Sequence, residues 1–208
     1  MKDEFEDYKK LILKHHDERL AQYDPGVKAL SWGSEDSQRA RFEVLIDVFR
    51  DFGNAHTVLD VGCGFGDLFH FITKETHIAL DKYFGLDLNP AMIEEAKKSY
   101  PFADFEVRDI LLDPPPVRFG YVVGSGLFFL RTKNWYQYVA AMVGRMYERA
   151  DVGVAVNFLS AFSPEKKGKM SFYADPGAVV NTIAHLVSPK VVLRHDYKAN
   201  DFTVFIYR

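Results

Sequence analysis

Residues 57–66 read TVLDVGCGFG, an apolar run that ends in a glycine-rich turn. A short apolar run with this composition predicts a buried β-strand, here over residues 57–61. The glycines predict a tight turn, and residues 66–76 predict a helix. Such a turn places backbone N–H groups at a helix start, where a carboxylate or phosphate of a ligand can bind. A tight connection without any ligand is the alternative reading of this stretch alone.

The chain around this turn alternates between short apolar runs and amphipathic stretches. This alternation is typical of an α/β fold in which helices cover both faces of a mostly parallel sheet. We predict strands near residues 57–61, 82–87, 103–107, 119–123, 152–158, 190–195 and 202–207, and helices near residues 2–21, 36–52, 66–76, 90–99, 133–149 and 176–187. Asn89-Pro90 and Asp175-Pro176 each supply a helix N-cap and a first-turn proline. Residues 196–201 are too few for a parallel crossover, so the last two strands should form an antiparallel hairpin.

Length and composition predict one globular domain. With 208 residues, of which 48% are hydrophobic, the chain can bury one full core. We expect a single domain over residues 1–208, composed of an N-terminal helical extension (residues 1–54) and a core (residues 55–208). The extension contains turn residues between its two helices and is predicted to pack over one edge of the core.

The charge balance disfavours nucleic acid as a partner, because a formal net charge of -3 gives no overall positive field. The acidic N-terminus, residues 1–7, lacks the apolar segment of a signal peptide. No apolar run reaches the length of about 18 residues that would span a bilayer. We therefore expect a cytoplasmic protein with no membrane partner. A single cysteine, Cys63, cannot form an internal disulfide or a thiolate metal site alone, and we predict no metal site.

Two aspartates at strand ends narrow the choice of ligand. Asp87 ends the second predicted strand, where a carboxylate can accept hydrogen bonds from both hydroxyls of a ribose. Asp109 closes the third strand, where it can accept one from an adenine amino group. A solvated strand end and a turn residue are the respective alternatives. Asp67 replaces the last glycine of a dinucleotide fingerprint and would oppose a pyrophosphate, which argues against NAD.

These residues resemble the first two motifs of class I S-adenosylmethionine-dependent methyltransferases. Residues 58–66 are similar to the glycine-rich first motif, with Asp60 as its leading acidic residue, and residues 85–96, GLDLNPAMIEEA, are similar to the second. The resemblance covers residues 57–160 and extends to the chain end through the terminal hairpin. It implies a Rossmann-like α/β fold with a seven-stranded sheet of order 3-2-1-4-5-7-6, the last strand antiparallel.

The resemblance also implies S-adenosyl-L-methionine as cofactor and S-adenosyl-L-homocysteine as product. Asp87 would bind the ribose, Met92 would pack on the adenine, and Arg41 is a candidate partner for the cofactor's carboxylate, although a surface arginine is an equal alternative. The full set of expected cofactor-binding residues is Arg41, Asp60, Gly62, Gly64, Asp87, Leu88, Met92, Asp109, Ile110 and Ser125.

One departure from the family pattern limits what can be inferred about catalysis. Many relatives begin the fourth strand with an aspartate, whereas this chain has Gly120 there. The chain also lacks the Asn/Asp-Pro-Pro-Tyr/Phe tetrad that enzymes methylating amino groups of nucleobases or glutamine carry after this strand. The departure does not affect the residues that the resemblance assigns to cofactor binding. It does mean that no catalytic residue can be assigned from the family pattern.

The acceptor should lie beyond the carboxyl ends of strands four to six. Ser125, Asn157, Tyr173 and His195 fall there, and we predict Asn157, Tyr173 and His195 as catalytic candidates, with His195 as the base if the acceptor must lose a proton. For each of them, a satisfied polar group is an equal alternative. The possible lid residues on the extension are Tyr8, His15, His16 and Tyr23.

The predicted function is in-line methyl transfer from S-adenosylmethionine to a small-molecule acceptor. A protein or RNA methyltransferase is one alternative, and residues 166–169, KKGK, are its only local basic signal. A non-catalytic cofactor-binding protein is another.

Overall fold

The computed structural model describes residues 2–49, 56–166 and 168–208, with residues 2–4 described by their backbone only. Its helices are α1 Lys2–Leu20, α2 Glu35–Leu45, α3 Asp67–Glu75, α4 Pro90–Ser99, α5 Trp135–Arg149 and α6 Pro176–Leu186. Its strands are β1 His56–Val61, β2 Leu80–Asp87, β3 Asp104–Val107, β4 Phe119–Gly124, β5 Ala150–Leu159, β6 Val191–Lys198 and β7 Asp201–Tyr207.

The seven strands form one sheet in the order β3-β2-β1-β4-β5-β7-β6, which confirms the predicted topology. β7 runs antiparallel to both β5 and β6, while the other pairings are parallel. All seven residues of β7 are buried. This strand therefore lies inside the sheet, and β6 forms its edge.

Helices cover both faces of the sheet, as predicted for a parallel sheet. On one face α5 and α6 pack against the strands, with Met142 and Ile183 in the core cluster. On the other face α2, α3 and α4 contribute Phe42, Phe71 and Ile93 to a second cluster. The site is built where the strands end between these two layers.

The predicted helix starts at the two proline pairs are confirmed. The Asn89 side chain accepts hydrogen bonds from the backbone N–H groups of Ala91 and Met92 at 3.0 and 3.3 Å. Asp175 accepts one from Ala178 N–H at 2.8 Å. These caps satisfy N–H groups that have no partner within the helix.

The predicted helix over residues 36–52 is too long. α2 ends at Leu45, and the chain continues as a short 3₁₀ turn, Ile46–Val48, before it becomes extended at Phe49. Val48 and Phe49 are both almost fully buried. The apolar spacing therefore reflects burial of this turn against the sheet. That spacing resembles the periodicity of a helix. The predicted positions 50–52 lie outside the described residues.

The helix α1 lies across the strand ends and packs against α5, where the ring centroids of Tyr8 and Tyr138 are 3.8 Å apart. The Tyr8 hydroxyl donates to the Leu127 carbonyl at 3.2 Å, in the loop after β4. Further along α1, Asp17 accepts a hydrogen bond from the Asn89 side chain at 2.8 Å. The helix thus bridges the ends of β4 and β2 and covers the space between them.

Candidate active site

A cavity of about 1180 Å³ lies at the carboxyl ends of the strands. The glycine turn after β1, the ends of β2, β4 and β5, and the β6–β7 turn contribute to its wall. The N-terminal extension contributes residues from α1, from the α1–α2 connection and from α2. Its lining from the extension includes Tyr8, Lys9, Ile12, His16, Leu30, Trp32, Gln38 and Arg41.

The glycine turn lines this cavity. Gly62 and Gly64 have φ angles of 70° and 54°, in the left-handed region that favours glycine. A Cβ on Gly62 would lie 2.4 Å from Leu127 Cδ2, and one on Gly64 would lie 2.9 Å from Leu30 Cδ2. Both positions therefore require glycine for their conformation and for close approach of neighbouring groups.

Asp87 is held beside the glycine turn by backbone N–H groups. Its Oδ2 accepts from Gly64 N–H at 3.0 Å, and its Oδ1 accepts from Asn89 N–H at 2.9 Å. Burial raises the pKa of the Asp87 carboxyl, and these hydrogen bonds oppose that effect. A carboxylate has about four acceptor sites, so both oxygens can still accept from the two hydroxyls of a ribose.

Apolar side chains line the cavity next to Asp87. Met92 and Ile110 are 1% and 3% exposed, and Leu88 lies on the same wall. Such a surface fits the flat, apolar faces of an adenine ring. The residues expected to hold the adenosine therefore share one wall, although their contacts with it stay a prediction.

Asp60 is a buried acid at the end of β1. It is 2% exposed and accepts a hydrogen bond from the Tyr83 hydroxyl. Burial raises the pKa of Asp60 to about 7. The hydrogen bond from Tyr83 has a smaller effect that lowers this pKa, and the nearby carboxyls of Asp87 and Asp67 have smaller effects that raise it. Because Asp60 lines the cavity, a cationic ligand group bound nearby would favour its ionised form.

Asp109, predicted as an adenine partner, lines the cavity but has partners of its own. Its Oδ2 lies 3.1 Å from Lys9 Nζ on α1, and its Oδ1 accepts from Leu111 N–H at 2.9 Å. The extension thus makes an ion pair with the strand end that was predicted to contact the cofactor. Any adenine contact of Asp109 would have to coexist with Lys9 or displace it.

Arg41, predicted as a partner of the cofactor's carboxylate, lines the cavity and is 5% exposed. Its Nη2 donates to Asp201 Oδ1 at 2.6 Å, and its Nη1 donates to the Ser37 carbonyl and hydroxyl, both at 2.7 Å. The Trp32 ring lies 4.6 Å from the guanidinium carbon. Asp201 and Trp32 were not predicted as site residues, because Asp201 follows a hairpin turn and reads as a turn residue.

Asn157 connects β5 to the loop after β4. Its Oδ1 accepts from Gly126 N–H and its Nδ2 donates to the Ser125 hydroxyl, both at 2.8 Å. The amide oxygen and nitrogen are therefore both hydrogen-bonded to this loop. This favours a positioning role for Asn157 over the predicted catalytic one. Ser125 and Tyr173 also line the cavity.

The prediction that His195 faces the site is wrong in its placement. His195 is not among the cavity-lining residues in the described part of the chain. Its ring stacks on Phe162, with centroids 5.8 Å apart, and its Nε2 lies 3.4 Å from the Ala199 carbonyl. The physical reason is packing: the ring is held against Phe162 and Phe202 rather than directed into the cavity.

Of the four predicted lid residues, two line the cavity and two do not. Tyr8 and His16 line the cavity, whereas His15 hydrogen-bonds the Ser31 hydroxyl at 2.8 Å and Tyr23 is 36% exposed. Burial lowers the pKa of the His16 ring, and a hydrogen bond to the Ala29 backbone opposes this. Of the basic stretch 166–169, residue 167 lies outside the described residues.

Within residues 2–49, 56–166 and 168–208, no cluster of three or more His, Cys, Asp or Glu side chains could hold a metal ion. No helix in these ranges combines the length and the apolar character needed to cross a membrane.

Comparison with known proteins connects this geometry to a family. Residues 58–147 match a family model described as a methyltransferase domain. A provisionally assigned methyltransferase of Mycobacterium tuberculosis is 27% identical over 158 residues, which cover 72% of this chain and 92% of that protein.

Solved structures share the fold. Magnesium protoporphyrin IX methyltransferase from Synechocystis, solved with bound S-adenosylmethionine, superposes with a TM-score of 0.63 at 14% identity, covering 96% of both chains. The DesVI protein of Streptomyces venezuelae gives 0.62 at 16% identity, covering 81% of this chain and 91% of its own.

Proposed function

We propose that the chain is a class I S-adenosylmethionine-dependent methyltransferase that transfers the methyl group to a small-molecule acceptor. The observation that carries this proposal is the cavity of about 1180 Å³ at the strand ends, which α1 partly covers. Typical ligand pockets measure about 300–1,000 Å³, so this volume suits a cofactor together with a small acceptor. The structural neighbour from Synechocystis is itself named for a small acceptor, magnesium protoporphyrin IX.

S-adenosylmethionine supplies an activated methyl group on a sulfonium sulfur, and the chain supplies binding, alignment and exclusion of water. We propose that Asp87 accepts the ribose hydroxyls and that Leu88, Met92 and Ile110 enclose the adenine. Gly62 and Gly64 would shape the tight turn that forms the cofactor's side of the cavity. Asp60 would face its cationic end, since a buried carboxylate and a cation stabilise each other.

The extension of residues 1–54 is proposed to act as a lid. Two polar contacts connect α1 to the core at the cofactor wall, Lys9 to Asp109 at 3.1 Å and Asn89 to Asp17 at 2.8 Å. Because α1 lies over the same strand ends, cofactor exchange would require these contacts to open. A closed lid also disfavours a folded macromolecule as acceptor.

If the acceptor loses a proton, His16 is a better-placed base than His195. His16 lines the cavity, and among the described residues its Nδ1 is buried without a hydrogen-bond partner. The bond to the Ala29 backbone then belongs to Nε2, which leaves the Nδ1 lone pair able to take a proton. His16→Gln should lower kcat and remove the acid limb of the pH profile; an unchanged profile would exclude this role.

Cofactor binding can be tested without knowing the acceptor. Saturating S-adenosylhomocysteine should raise the melting temperature, and Asp87→Ala should abolish that shift. Asp104→Ala, which changes an exposed aspartate of β3, is the matched control and should keep it. Absence of a shift in the unmodified protein would contradict the proposed site.

The acceptor class needs a second experiment. A labelled-methyl screen should compare small molecules, RNA and protein substrates under the same conditions. Incorporation into RNA or protein alone would refute the small-molecule proposal. Binding of S-adenosylhomocysteine without transfer to any acceptor class would favour a non-catalytic binding protein.

A further inference from the structure

The ion pair between Arg41 and Asp201 is the most completely buried one described in the structure. Their side chains are 6% and 1% exposed, and the two atoms Nη2 and Oδ1 lie 2.6 Å apart. The pair connects α2 to the start of β7, and both residues line the cavity. The remaining described hydrogen bonds of Arg41 go to Ser37.

One carboxylate oxygen of this ion pair makes no hydrogen bond to the described residues. Asp201 Oδ2 is buried and has no hydrogen-bond partner among the residues that the structure describes. Buried polar atoms are nearly always paired, and an unpaired one costs free energy that a ligand with a suitable donor can recover. Because Arg41 already balances the charge of Asp201, a neutral O–H or N–H donor suffices.

The position of Asp201 separates it from the cofactor wall. In the sheet order, β4 and β5 stand between β1 and β7. With neighbouring strands about 4.8 Å apart, the start of β7 lies roughly 14 Å across the sheet from the glycine turn. The adenosine wall extends in the opposite direction, toward β2 and β3. Asp201 therefore lies on the side of the cavity that the acceptor would occupy.

Aromatic surface adjoins this oxygen. Trp32 stacks on Arg41 at 4.6 Å, and its ring also reaches the loop after β4, where a Cβ on Gly126 would lie 3.0 Å from it. The Trp32 indole therefore lines the cavity between the Arg41–Asp201 ion pair and the loop after β4 that Asn157 holds. A flat ring bearing a donor would satisfy both the aromatic wall and the carboxylate.

We propose that Asp201 Oδ2 accepts a hydrogen bond from an O–H or N–H group of the methyl acceptor, which makes Asp201 a specificity-determining residue. The inference rests on the proposed function, since it assigns the acceptor side of the same cavity. It predicts a ring-containing acceptor that carries at least one hydrogen-bond donor.

The variant Asp201→Asn changes this recognition in a predictable direction. Arg41 has only donors to offer, so the amide oxygen must face Arg41. The amide NH₂ then replaces Oδ2 and presents a donor in place of an acceptor. Loss of a merely structural ion pair would weaken all ligands alike, whereas this substitution should change which ligand is preferred.

The test measures fragment binding to protein saturated with S-adenosylhomocysteine at pH 8, by titration with ligand-observed NMR. The probes are indole, which donates through N–H, benzofuran, which has the same shape without a donor, and quinoline, which only accepts. The unmodified protein should bind indole at least about fivefold more tightly than benzofuran. Asp201→Asn should lose this preference and bind quinoline more tightly than indole.

Asp47→Asn is the matched control, because Asp47 pairs with Arg194 at 2.8 Å in a half-exposed position outside the cavity wall. It should leave the indole preference unchanged. Equal binding of indole and benzofuran by the unmodified protein, or no millimolar binding of either, would overturn the proposal even if Asp201→Asn does not fold. An unaltered preference in folded Asp201→Asn would overturn it as well. Since S-adenosylhomocysteine binding is measured separately, failure here is distinguishable from failure of the proposed function.

Discussion

Replacing Asp60 with asparagine should stabilise the protein, and the gain should grow with pH. The carboxyl group is 2% exposed, and its burial raises its pKa from 3.8 to about 7. Between these two values the folded state binds more protons at this site than the unfolded state does. Stability therefore falls as pH rises from about 4 to about 7, and the loss is complete above the folded pKa.

The magnitude follows from the shift. Each pKa unit corresponds to about 1.4 kcal/mol, so the raised pKa of Asp60 costs about 4 kcal/mol at pH 8, where the folded carboxyl is ionised. At pH 5 it costs about 2 kcal/mol, because the folded carboxyl stays protonated while the unfolded one is ionised. Asparagine does not ionise, so its burial cost is independent of pH, and its carbonyl can still accept from the Tyr83 hydroxyl. The stability gap between Asp60→Asn and the unmodified protein should widen by about 2–3 kcal/mol from pH 5 to pH 8. For a chain of this size that is roughly 5–10 °C in melting temperature.

The assay is urea denaturation at pH 5, 6.5 and 8, with Asp81→Asn as the control for an exposed aspartate of β2. The control should show no comparable widening. A gap for Asp60→Asn that stays constant with pH, or that widens toward acid pH, would refute the reasoning. Since Asp60 is proposed to face the cationic end of the cofactor, the same variant should bind S-adenosylmethionine less tightly.

Three further variants examine the contacts around the cavity. Arg41→Met leaves the carboxylate of Asp201 buried without its cation and should lower the free energy of unfolding by about 3–5 kcal/mol; in urea denaturation, the double variant Arg41→Met/Asp201→Leu should recover most of this loss. Asn157→Ala removes both hydrogen bonds to the loop after β4 and should cost about 1–3 kcal/mol, and calorimetry should show weaker S-adenosylhomocysteine binding; unchanged affinity would contradict its positioning role. Lys9→Met removes a partly exposed ion pair with Asp109 worth less than about 1 kcal/mol, so stopped-flow dissociation of S-adenosylhomocysteine should accelerate while the melting temperature hardly changes. A lower melting temperature without faster dissociation would make that pair a structural contact only.

Much of the fold could be predicted because its signals are local. The apolar run at residues 57–61, the glycines after it and the Asn89-Pro90 pair each specify their conformation through neighbouring residues. The short turn before Asp201 leaves only an antiparallel pairing for the last two strands. The resemblance to methyltransferases supplied the strand order, which the sheet confirms.

The sequence by itself therefore determined the glycine turn, the helix caps, the mostly parallel sheet and the resemblance to methyltransferases. Only the tertiary structure decided which side chains meet across the cavity. Arg41 and Asp201 are 160 positions apart, and no local pattern pairs them. His195 packs against Phe162 and Phe202, a contact that no local pattern predicts. The physical reason is that backbone conformation depends on adjacent residues, whereas side-chain partners depend on how distant elements pack.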